Sequence, residues 1–140
     1  MLEIDRALSI RAAAAEAGER AFVVEASGEA ITFATMTREL ARLEPGSIGA
    51  FVASPTLATV RTIVAHLEAQ VPIVPLHPRW TVVERERAIE AVRAAGELGS
   101  EVLAVLFTSG TSGTPKGVRL SRRAFVGAAG ASAARQGWWR

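Results

Sequence analysis

The sequence predicts an α/β fold in which a parallel-rich sheet is flanked by helices. From residue 47 onward, apolar runs of strand length alternate with helical stretches in the order strand, helix, strand, helix, strand. The runs "SIGAFVA", "VPIVPL" and "EVLAVLF" show no in–out alternation, as expected of strands buried on both faces. The stretches between them repeat apolar residues at spacings of three and four. Such units build a parallel sheet with right-handed crossovers, and ligands sit beyond the carboxyl ends of its strands.

Residues 4–18 read as an alanine-rich helix stopped at Gly18. "RAFVVEA" and "AITFA" are β-prone runs on either side of "SGE", which predicts a hairpin. Thr35 or Thr37 is expected to cap the short helix "MTRELARLE", closed by Pro45 and Gly46. Ser54 is expected to cap the next helix, with Pro55 at its first position, where a missing N–H costs nothing. Leu57, Val60, Val64 and Leu67 mark the buried face of that helix. After "VPIVPL" and the loop "HPRW", residues 81–96 form a second helix with Val82, Ile89 and Val92 inward. Its glutamates, Glu84, Glu86 and Glu90, alternate with arginines on a solvated face. "EVLAVLF" leads into the segment "TSGTSGTPKG". "GVRLS" then reads as a short extended run, and Ser121 as the cap of a helix reaching toward residue 136.

At 140 residues and 49% apolar content the chain has the material for one domain with a core. The net charge is +2, and the arginines are scattered along helical stretches, so no nucleic-acid surface is expected. Cysteine is absent, which excludes disulfides and thiolate ligands or nucleophiles. His66 and His77 are separated and lack clustered carboxylates, so no metal site is expected. The amino-terminal stretch mixes charges into its apolar positions, unlike a signal peptide, and no window has the apolar length of a membrane span. A cytoplasmic location is the resulting expectation. Tyrosine is absent, Asp5 is the only aspartate, and Lys116 is the only lysine beside fifteen arginines.

That lysine stands at the far side of a cluster that begins where the last apolar strand ends. Thr108, Ser109, Thr111, Ser112 and Thr114 supply five hydroxyls within seven residues. Gly110, Gly113 and Gly117 let backbone come close to a ligand, and Pro115 stiffens the approach to Lys116. A polyphosphate needs such a set: close backbone, several donors and a cation, with bonds to charged groups worth about 1.5–3 kcal/mol each. Ser/Thr/Gly clusters are commonly solvent loops; the abrupt strand end and the placement of the sole lysine set this one apart. The Walker loop G-x-x-x-x-G-K-[ST] does not fit. Two residues separate Gly110 from Gly113, three separate Gly113 from Gly117, and glycine follows Lys116. Arg119, Arg122 and Arg123, just beyond, would add positive potential near a phosphate. His77 with Arg79 has two open readings, a cleft mouth or a structural loop. Trp80, Trp138 and Trp139 read as packing residues.

"FTSGTSGTPKGV" closely resembles the signature phosphate-binding loop of the adenylate-forming superfamily, which includes acyl- and aryl-CoA synthetases, luciferases and peptide-synthetase adenylation domains. The resemblance runs from "ITFATMTRELAR" through "VPIVPLHPRWTVVERE" to the loop. It implies that residues 1–140 are the amino-terminal part of an AMP-binding domain, incomplete as it stands and without the small carboxyl-terminal domain. It further implies that Thr108 to Thr114, Lys116 and Gly117 bind ATP, with Lys116 steadying charge on the leaving pyrophosphate. The implied reaction converts a small carboxylic acid to an acyl-adenylate with ATP and Mg2+, then transfers the acyl group to coenzyme A.

Where most members carry a further strand and helix, between residues 96 and 102, this chain has a short passage. The o-succinylbenzoate–CoA ligases of menaquinone biosynthesis are similarly compact, and "VPLHPRW" is similar to theirs. Many members place a histidine shortly after the loop, where this chain has Arg122. The family's adenine-site tyrosine, ribose aspartate and second lysine have no counterpart here, so the chain alone is expected to be inactive and the missing downstream portion is its implied partner. A non-catalytic fragment that binds nucleotide weakly, or another polypeptide, stays open beside this reading.

Overall fold

The computed structural model describes residues 3–40, 43, 48–108 and 116–136. It is a mixed α/β fold. Helices α1 (Glu3–Ala7) and α2 (Ile10–Ala17) precede a hairpin of β1 (Ala21–Val24) and β2 (Ala30–Thr32), then α3 (Phe33–Arg38). The second part runs β3 (Gly49–Val52), α4 (Leu57–Glu68), β4 (Ile73–Leu76), α5 (Val82–Ala94), β5 (Val102–Thr108), β6 (Lys116–Ser121) and α6 (Arg122–Gln136).

Side-chain hydroxyls decide where several helices begin. The single helix expected over 4–18 is two, because Ser9 adopts extended backbone and its side chain accepts from the Ala12 N–H, restarting the helix. Thr32, not Thr35 or Thr37, caps α3, which starts at Phe33 and ends at Arg38; Pro45 and Gly46 lie outside the described residues. Thr56, not Ser54, caps α4 by accepting from the Thr59 N–H. Ser54 and Pro55 are used up in a tight turn, with Ser54 N bonded to Val52 O at 3.1 Å and Thr56 N to Ser54 O at 2.8 Å. α5 opens on a reciprocal capping box between Thr81 and Glu84. Val82 is 66% exposed rather than inward, because Arg85 and Glu86 interrupt the apolar stripe, which begins at Ala88.

The main sheet has the order β3-β4-β5-β6. β3 and β4 are parallel from Gly49↔Ile73 to Val52↔Leu76. β4 and β5 are parallel through Ile73↔Ala104, and Pro75, which has no N–H to donate, lies beyond that pair. β6 runs antiparallel to β5, from Val102↔Ser121 to Thr108↔Lys116, so the sheet is mixed.

Strand alternation sorts the core. Val74, Leu76 and Val105 pack with Ala88 and Val92 of α5, with Ala50 and Phe107 beside them. Ile73, Leu103 and Ala104 pack with Ile63 and Leu67 of α4, with Phe51 beside them. Leu103 joins Ala104 there because the register shifts between Val102 and Ala104. The two helices therefore cover opposite faces. Both crossovers step one strand in the same direction, so opposite faces give them opposite hands, and one departs from the right-handed pair expected. A third cluster, Ile10, Ile31, Met36 and Val64, fastens the amino-terminal hairpin and α3 onto α4.

One glycine is required by close approach. A Cβ on Gly49 would stand 2.6 Å from His66 Nε2 and 2.7 Å from Pro72 O. His66 is buried, and its Nδ1–H donates to Thr62 O at 2.7 Å, one turn back on α4.

Candidate phosphate-binding hairpin

β3, β4 and β5 are parallel, so Val52, Leu76 and Thr108 close their strands on the same side of the sheet. Thr108 ends β5 and Lys116 begins β6, and the two residues are direct register partners. Thr108 Oγ1 donates to Lys116 O at 3.5 Å, and both residues are exposed. Of the remaining predicted ligands, Gly117 follows on β6, beside Phe107. Ser109, Gly110, Thr111, Ser112, Gly113 and Thr114 lie outside the described residues, as does Pro115.

Lys116–Ser121 is a strand, so the device of a helix opening straight after the lysine is not used here. α6 begins at Arg122, at the other end of β6, roughly 20 Å away at strand rise. Ser121 Oγ accepts from the Ala124 N–H at 3.1 Å there, as a helix cap does. The register places Thr108, Leu106 and Ala104 on one face with Lys116, Val118 and Leu120. Phe107 and Val105 share the other face with Gly117 and Arg119.

The loop after β4 buttresses this edge. His77 is exposed, and its Nδ1 accepts from the Arg79 N–H at 3.1 Å, which fixes the turn. Trp80 packs its ring against Phe107 at 5.5 Å and 70°, directly beside Thr108. Of the two readings for His77, the geometry favours the structural one. Trp80 is a packing residue that also braces the root of the hairpin.

The arginines beyond the loop are not gathered at the Thr108–Lys116 end of the hairpin. Arg122 lies at the far end of β6, is 5% exposed, and donates from Nε to Ser100 O at 3.1 Å. Its Nη1 and Nη2 have no partner among the described residues. Burial pushes its pKa down, offset in part by the charge of Asp5. Arg119 is midway along β6 and donates to Ala95 O at 3.3 Å. No sequence signal distinguishes Arg122 from its exposed neighbour Arg123.

Among the described residues, no three His, Asp or Glu side chains converge as a metal site, and no helix is long and apolar enough to cross a membrane. Comparisons with protein-family models, curated proteins and solved structures found no match to this chain.

Proposed function

We propose that this chain contributes the polyphosphate-binding hairpin of an adenylate-forming enzyme, one that activates a carboxylic acid with ATP and passes the acyl group to coenzyme A. The observation carrying the reading is the Thr108↔Lys116 pair at the carboxyl edge of a largely parallel sheet. It brings the two ends of the glycine- and hydroxyl-rich segment together and puts the single lysine at the mouth. Thr108, Lys116 and Gly117 would meet the β- and γ-phosphates together with Ser109 to Thr114, and Mg2+ would neutralise further charge on ATP. The lysine's ammonium would stabilise negative charge gathering on the leaving pyrophosphate. Contacts to adenine and ribose, and those to most of the acid, would come from residues this chain does not hold, since it lacks tyrosine and has aspartate only at position 5.

Titrating the chain with magnesium pyrophosphate and then Mg-ATP is expected to shift the amide signals of Thr108, Lys116 and Gly117. Lys116→Ala should weaken binding about tenfold or more, the worth of one charge-assisted contact. Unmoved signals would remove the basis of the proposal. With the downstream residues supplied, ATP–pyrophosphate exchange should depend on a carboxylic acid. The exposure of β6 and of nearly all of α6 favours a second reading, a non-catalytic fragment whose surface meets another polypeptide. ATP binding without exchange for any acid would support it.

A further inference from the structure

On the face of the sheet covered by α5, a cavity of about 120 Å³ opens between that helix and the β5–β6 hairpin. Ala91, Val92 and Leu98 wall one side, and Val105, Phe107 and Gly117 the other. The space exists because residue 117 has no side chain: a Cβ there would stand 3.1 Å from Val105 Cγ1 and 3.4 Å from Phe107 Cε1. Among the described residues, Arg119 is the single charged one in the lining. Its bond to Ala95 O engages one of the five N–H donors of a guanidinium, and no carboxylate pairs with it among the described residues.

An apolar chamber with one cation in its wall is matched by an apolar molecule carrying one anionic group. Volume narrows the choice. A half-open recess on the order of 100–150 Å³ seats one small ring or a short branched chain and leaves most of a long acyl tail in solvent. We propose that this cavity binds a small apolar carboxylate of the monocyclic aromatic acid type, its ring held between α5 and Phe107 and its carboxylate on Arg119. The proposal does not rest on the polyphosphate reading: Lys116 stands on the opposite face of β6, Gly117 is the one residue the two sites share, and Phe107 and Arg119 report on this cavity alone.

The test is an amide-resolved titration of the 140-residue chain with benzoate, benzyl alcohol and octanoate. Benzoate is expected to give saturable shifts at Phe107, Gly117 and Arg119, and octanoate to bind there more weakly. Arg119→Gln should weaken benzoate about tenfold or more and leave benzyl alcohol nearly unchanged, because only the acid uses the cation. Gly117→Ala should abolish the benzoate shifts by filling the chamber. Ala91→Leu plugs it from an exposed position on α5, so the test stands even if the glycine variant does not fold. Absent or unsaturable shifts, benzoate binding that survives Ala91→Leu, or equal binding by Arg119→Gln would each overturn the assignment. Octanoate binding at the same residues as tightly as benzoate would overturn the preference for a ring.

Discussion

α4 and α6 are both apolar enough to look like core helices, yet only one behaves as such. α4 has 12 residues and buries Val64, Ala65 and His66 between the amino-terminal cluster and the sheet. α6 has 15 residues and buries only Arg122. The difference lies in side-chain volume along one stripe. α4 lines up Leu57, Val60, Val64 and Leu67, whereas α6 offers mostly alanine and glycine and leaves its one aromatic, Phe125, 40% exposed. Each buried methylene is worth about 0.8 kcal/mol, so a stripe of small residues gains little by docking. Apolar content predicts a helix; stripe volume predicts whether anything holds it.

The largest expected effect tests that contrast through the α3 side chain packed on α4. Met36 is fully buried against Val64 of α4, and Met36→Ala is expected to cost about 2–5 kcal/mol in denaturant unfolding. Phe125→Ala on α6 should cost less than about 1 kcal/mol, and equal losses would break the comparison. Two glycines then give opposite signs. Gly49→Ala pushes a Cβ into His66 and Pro72 and should cost about 1–3 kcal/mol. Gly127→Ala, inside α6 with nothing within 4 Å, should gain about 0.5–1 kcal/mol from helix propensity alone.

Arg122→Met sharpens the picture of α6's single buried residue. A buried guanidinium with two nitrogens that lack partners among the described residues is an inefficient contact, and an apolar residue of similar length should raise stability by about 1 kcal/mol, read as a higher thermal midpoint. The smallest effect is a pH dependence. The Thr81 backbone N–H and hydroxyl both donate to the Glu84 carboxylate, holding its pKa below 4.5. Its contribution is therefore present above the unfolded value near 4.5 and lost as pH falls through the lower folded value. Glu84→Gln should flatten the acid limb of the stability profile and change little at neutral pH.

Much of the architecture was legible because its signals are local. Turn residues between β-prone runs foretold the β1–β2 hairpin, and unalternating apolar runs foretold β3, β4 and β5. Helix starts were less legible because hydroxyls compete: Ser54, Thr56 and Thr59 all stand near the start of α4, and only the turn around Pro55 selects Thr56. "GVRLS" read correctly as extended, but its antiparallel return along β5 depends on a pairing that no periodicity records. At the candidate site, the sequence singled out Thr108, Lys116 and Gly117 by chemistry. It did not indicate the bracing of that edge by Trp80, nor the withdrawal of Arg122 to the opposite end, since both depend on packing between distant elements.

The sheet has a seam. Among the described residues, β3 with β4 and β5 with β6 form two ladders that meet through Ile73↔Ala104, with Pro75 just past the junction. Backbone bonding couples the halves weakly, and cohesion across the line falls to side chains from both faces. Protection against amide exchange should thus divide into two cooperative units, so the β5–β6 half can breathe while the β3–β4 half stays closed.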